Sequence, residues 1–220
     1  MQRIEIDVYS DFICPWCWIG HSNLAAALDP LRAEVEVSVR YLPFELNPSM
    51  AKDGMDRREY RTLKFGSWAR SQSMDAQVAT AGRAVGAPFD YSRVLRTPNT
   101  RLAHRLMAFA QSRHAPQQTD ALYEALFVAY FSEGRDIGRV DTLVELAAAH
   151  GFDAEAVRAD LQSADADASF VATENARRDA EAHGIHAVPS VVIGGDVVSG
   201  AQPPTVFATA LRAVIARSAA

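Results

Sequence analysis

Nowhere in the 220 residues does an apolar run reach the roughly 20 residues that a bilayer-crossing helix needs, so no membrane-embedded role is expected. Clusters of Lys and Arg are missing as well. With 27 acidic residues against 22 basic ones the net charge is −5, and nucleic acid is not expected as a partner. The first residues run straight into strand-like Arg3-Ile4-Glu5-Ile6, without the basic start and apolar core of a secretory signal, which makes a cytoplasmic location the expectation. Internal repeats and low-complexity segments are absent too. Cysteine is scarce: there are two, and they stand two residues apart.

What is present starts from that pair. Cys14 and Cys17 lie in Ser10-Asp11-Phe12-Ile13-Cys14-Pro15-Trp16-Cys17, directly after a run whose side chains alternate from Ile4 to Val8 in the manner of a strand. Zinc would need two further ligands. There is no second C-x-x-C, and none of the six histidines is paired at i, i+4, so a redox dithiol is the better reading and no metal is expected. A C-x-x-C turn entering a helix brings the two Cα atoms within disulfide reach, and Pro15 suits the first helical position because its missing N–H has no partner there anyway. The unpaired N–H groups at a helix start favour negative charge on the first sulfur. This makes Cys14 the expected exposed nucleophile and Cys17 the resolving thiol, with Asp11 expected chiefly as a helix cap.

The remaining chain, 49% hydrophobic, is long enough for a sizeable core. A helix is predicted from Pro15 to Leu28, stopped at Asp29-Pro30, and a second alternating strand from Val35 to Leu42. Residues 49–164 then turn Ala- and Arg-rich with helical periodicity, which predicts an all-helical insertion containing helices over 56–66, 68–85, 100–113, 117–132, 140–150 and 154–163. Leu122, Leu126, Phe127, Tyr130 and Phe131 form a stripe expected to be core. Another helix is predicted from Asp165 to His183, then strands over 190–193 and 196–199 joined by Gly194-Gly195, and a final helix over 205–217.

This order, with C-x-x-C after the first strand and Val188-Pro189 before a late one, resembles the thioredoxin fold. Further motifs are the Cys14 segment itself, Asn99-Thr100 with Ala103-His104-Arg105-Leu106, Tyr130-Phe131 with Glu133-Gly134, and Ser199-Gly200-Ala201-Gln202-Pro203. Together they resemble the DsbA family, in its FrnE-like branch. The resemblance implies an α/β thioredoxin fold, residues 1–48 and 165–220, with the large all-helical insertion roofing the active site. It implies thiol–disulfide exchange, with Cys14 as nucleophile, Cys17 as resolving thiol and Pro189 as a cis-proline facing them. Val188 is then expected to pair its backbone with an extended substrate, and Trp16 and His104 are the other candidate substrate contacts.

DsbA proteins proper carry His between their cysteines, where this chain has Trp16. An indole cannot give a thiolate the charge-assisted hydrogen bond of an imidazolium, so reduction or isomerisation of protein or small-molecule disulfides is expected over strong oxidation. No tightly bound cofactor is expected, and glutathione is a candidate co-substrate. Two other functions stay open: a glutathione-dependent isomerase or transferase resembling 2-hydroxychromene-2-carboxylate isomerase, and a redox-sensing, holdase-like binding module.

Overall fold

The alternation read from the sequence places Ile4, Ile6 and Val8 on one face of strand β1 (Gln2–Ser10), and all three are buried. The computed structural model describes residues 2–163, 175, 176 and 178–218. In it, β1 lies inside a four-stranded sheet of order β2-β1-β5-β6, formed with β2 (Val35–Pro43), β5 (Ser190–Ile193) and β6 (Asp196–Ser199). β2 runs parallel to β1, in register from Gln2 opposite Val35 to Ser10 opposite Pro43, while β5 is antiparallel to β1. A parallel neighbour needs a crossover, and helix α1 (Pro15–Leu28) supplies it. The 3₁₀ turn Asp29–Leu31 ends that helix at the proline the sequence pointed to.

The free edge of β2 is closed at Tyr41, whose N–H donates to Gln111 Oε1 at 2.7 Å and whose carbonyl accepts from Gln111 Nε2 at 3.0 Å. One side-chain amide thus does the work of a neighbouring strand. At the other side β5 turns into β6 through Gly194 and Gly195, with φ of 57° and 91°, the left-handed pair that a two-residue I′ hairpin requires.

Between β2 and β5 come α2 (Arg57–Phe65), α3 (Trp68–Ala84), α4 (Arg101–Gln111), α5 (Pro116–Phe131), α6 (Val140–Ala149) and α7 (Ala154–Gln162). Side-chain caps define several starts: Asp56, Ser67 and Asp153 accept the N–H groups of Glu59, Arg70 and Ala156. A two-residue antiparallel ladder, β3 (Met55–Asp56) with β4 (Arg96–Thr97), also lies among these helices. Two residues are too few for a period-2 signal, so the sequence pattern did not show it. The helix predicted from Asp165 falls largely outside the described residues. Its end is seen as α8 (178–182), followed by α9 (Pro204–Ser218).

The stripe Leu122, Leu126, Phe127, Tyr130 and Phe131 is buried as expected, and its partners are specific. Trp18 of α1 stacks parallel to Phe127 and Phe131 at ring separations of 6.3 and 6.4 Å and tilts against Phe89 at 4.8 Å. Phe12, ahead of the cysteines, lies 5.1 Å from Phe127 and 5.5 Å from Tyr123. These contacts and Ile4, Ile6, Val8, Phe207 and Leu211 belong to one continuous core, while Tyr9, Ala180, Ile185 and Val192 form a smaller cluster. Truncating the fully buried Phe127 to Ala is expected to cost about 3–5 kcal/mol in urea unfolding. A loss below about 1 kcal/mol would show that the aromatic cluster is dispensable.

Candidate active site

Strand β1 hands the chain to a tight turn in which Cys14 N–H donates to the Asp11 carbonyl at 2.9 Å and Cys17 N–H to the Cys14 carbonyl at 3.0 Å. Cys14 is the N-cap residue of α1, with extended φ and ψ of −91° and 109°, and Pro15 is the first helical residue. Both cysteines are free thiols. Contrary to the exposed nucleophile expected, Cys14 is only 5% exposed and Cys17 1%. The physical reason is tertiary, because the late loop of the chain closes over the turn.

That loop brings Val188-Pro189, joined by a cis peptide bond, against the cysteines: Cys14 Sγ lies 3.7 Å from the Val188 carbonyl oxygen, positioned to donate to it. The approach is close enough that a Cβ on Gly20 of α1 would meet Pro189 Cγ at 3.1 Å. The segment after β6 braces the loop, since Gly200 N–H donates to the Pro189 carbonyl at 2.8 Å and Asn23 Nδ2 of α1 donates to the Gln202 carbonyl at 2.9 Å. Trp16 stands beside this junction with 43% of its surface exposed. An aromatic this open next to a thiol offers apolar area to an incoming chain.

Asp11 and His104 sit elsewhere than expected. The Asp11 side chain does not cap α1, which has no side-chain cap; it is fully buried and its Oδ2 accepts the Leu46 N–H at 2.7 Å. His104 reaches in from α4, with Nε2 3.4 Å from Asp11 Oδ1 and its ring 5.1 Å from Phe12. His104 is buried and lines, with Ser10, Phe12 and Tyr123, a cavity of about 680 Å³. Trp16 and Val188 do not line that cavity, so His104 is set apart from the other two candidate substrate contacts.

Electrostatics separate the groups further. Burial pushes the Cys17 thiol well up, reinforced by its hydrogen bond to Cys14 and by the negative charges of Cys14 and Asp11. Tyr123 is likewise held well above the usual phenol range, first by burial and then by the charge of Cys17. His21 of α1, packed edge-on against Tyr123 at 4.9 Å, is pushed down to about 4 by burial, so it is neutral at neutral pH. The sequence showed no signal for Tyr123, because its closeness to the cysteines depends on how α5 packs on α1, whereas His21 lies one turn beyond Cys17 on α1 itself.

Comparison with known proteins bears on this arrangement. A family model for the DSBA-like thioredoxin domain matches residues 5–212. A probable DsbA oxidoreductase, SCO1869 from Streptomyces coelicolor, is 31% identical, with a TM-score of 0.83 over 97% of this chain and 90% of that one. At 17% identity the fold is shared with a 2-hydroxychromene-2-carboxylate isomerase, TM-score 0.72 over 98% of both chains. It is shared also, at 17% identity, with the cytosolic disulfide reductase DsbM from Pseudomonas aeruginosa solved with GSH, TM-score 0.66 over 96% of this chain and 99% of that one.

The depressed His21 value makes stability pH-dependent. The unfolded chain binds this proton near 6.5 and the folded one only near 4, so the stabilisation is complete above 6.5 and declines as pH falls from 6.5 towards 4. Urea unfolding of wild type is expected to show a clear loss between pH 7 and pH 5, and His21→Leu a smaller one. Equal losses in the two proteins would remove His21 as the cause.

Proposed function

The chain belongs to the DSBA-like thioredoxin family, and on that premise we propose that it is a thiol–disulfide oxidoreductase working in the reducing or isomerising direction on protein or small-molecule disulfides. The observation that carries this reading is the pair of free thiols at the start of α1, with Cys14 held against the Val188 carbonyl. In the proposed cycle the Cys14 thiolate attacks one sulfur of a substrate disulfide, and the other substrate sulfur leaves as a thiolate and takes a proton. Cys17 then attacks Cys14 Sγ, releasing the second substrate thiol. The substrate disulfide has gained two electrons, and the Cys14–Cys17 disulfide is reset by two thiols that leave joined as a disulfide, with glutathione as the proposed co-substrate.

Cys17, whose thiol is held protonated by burial, is suited to attack second and not first. Exposed Trp16 and the Val188 backbone are the proposed contacts for an extended substrate segment. A cytoplasmic setting accords with this chemistry, since the chain's two cysteines are both in the C-x-x-C pair and thiols stay reduced there. The isomerase reading is supported by likeness of fold alone, and Cys14 and Cys17 together favour exchange over it.

Insulin disulfide reduction by the purified protein with a thiol reductant is expected, and is expected to vanish in Cys14→Ala. Inactivity of wild type against several disulfides would sink the proposal, and glutathione-dependent turnover of a non-disulfide substrate by Cys14→Ser would favour the isomerase. Trp16→His is expected to make the couple more oxidising by about 30 mV or more, equivalent to at least tenfold in the equilibrium with glutathione. An unchanged potential would show that the residue between the cysteines does not set the direction.

A further inference from the structure

The helices between β2 and β5 enclose one charge too many. Arg57 and Arg61, one turn apart on α2, both bind Asp75 of α3: Arg57 Nη2 donates to Oδ2 at 2.7 Å and Arg61 Nη2 to Oδ1 at 2.8 Å. The side chains of Arg57, Arg61 and Asp75 are only 5, 15 and 9% exposed. Two guanidiniums thus share one carboxylate, and an enclosed cation without a counter-charge is costly. Tyr91, whose ring lies over Arg57, does not supply the missing charge, because burial holds its phenol well above the usual range.

Arg57 also has hydrogen bonds left to give. The rings of Trp68 and Tyr91 lie over its guanidinium at 5.6 and 4.8 Å, and Asp75 engages it at Nη2. Its Nε and Nη1 have no hydrogen-bond partner among the described residues, and neither is fully enclosed. Arg57 lines a cavity of about 620 Å³, whose apolar walls come from Trp68, Ala79, Phe89, Val94 and Leu95. The other charges along it have their own contacts. Asp56 Oδ1 accepts the Glu59 N–H at 2.9 Å, Asp90 pairs with Arg93 at 3.3 Å, and Arg58 lies 6.0 Å over Trp68. Neither cysteine lines this cavity, and neither do Trp16 and Val188.

We propose that this cavity binds a small aromatic carboxylate, whose oxygens accept the Arg57 N–H groups that Asp75 leaves over and whose ring lies against the apolar walls. One surplus positive charge calls for a monoanion. The planar array of guanidinium N–H groups matches a carboxylate, and a concave wall of rings and aliphatic side chains matches an apolar body. The bound acid would complete the ion cluster as two cations with two anions. This site is additional to the cysteine turn and does not rest on the oxidoreductase reading.

Calorimetric titration of the whole chain with 3-phenylpropionate tests the proposal, beside the neutral 3-phenylpropionamide and inorganic phosphate. Wild type is expected to bind the acid with a Kd of about 1 mM or tighter, and the amide at least about tenfold more weakly. Arg57→Met leaves Asp75 and Arg61 as a one-to-one pair and is expected to weaken the acid at least about tenfold. Ala76 is exposed on α3 and lines the cavity, so Ala76→Phe narrows it while leaving the ion cluster intact, and the same weakening is expected. Circular dichroism checks the fold of each variant. Cys14→Ala is expected to bind the acid as wild type does. Absence of binding by wild type at about 10 mM acid, equal affinity for acid and amide, phosphate bound as tightly as the acid, or unchanged affinity in folded Ala76→Phe overturns the proposal. Loss of binding in Cys14→Ala overturns it too, by placing the acid at the cysteine turn.

Discussion

Two aromatic side chains bracket the cysteine turn, and the rest of the molecule depends on where they go. Phe12 precedes Cys14 and Trp18 follows Cys17, and both are buried in the ring cluster that α5 builds from Tyr123, Phe127 and Phe131. Burying such rings is worth about 3–5 kcal/mol each by truncation, with about 0.5–1.5 kcal/mol more for each ring pair. The weak thiol contact from Cys14 to Val188 and the backbone bonds of the turn are worth about 1 kcal/mol apiece. Placement of the turn is therefore governed by packing, and the helices between β2 and β5 are a structural part of the cysteine site.

That packing has an electrostatic consequence. By enclosing Cys17, Tyr123 and His21 it removes the water that would stabilise their charged forms, which raises the thiol and the phenol and lowers the imidazole. The two cysteines become inequivalent: one lies at the helix start under the Val188 carbonyl, the other one turn in and 1% exposed. An asymmetric pair of this kind is what sequential attack by one sulfur and then the other requires.

Much of this was legible beforehand. Period-2 alternation marked β1 and β2, glycine pairs and proline breaks marked turns and helix ends, and the stripe on α5 announced its own burial. The misreadings share one cause. Cys14 was expected to be exposed and Asp11 to cap its helix, because within a local window a helix start looks open and a nearby Asp looks like a cap. In the folded chain the Val188 carbonyl, far along the sequence, lies over the first, and the Leu46 N–H claims the second. The β3–β4 ladder escaped because two residues carry no period.

What the sequence by itself determined is therefore whatever a short stretch of residues can encode: the strand that delivers the cysteines, the proline that starts their helix, the spacing that lets them pair, and the elements that follow in thioredoxin order. Only the tertiary structure decided which groups surround the sulfurs. Asp11 meets His104 from 93 residues away in numbering, and Cys14 meets Val188 across 174. Such pairings arise because aromatic packing fixes how α4, α5 and the late loop close over α1, and no local pattern records the outcome of that closure.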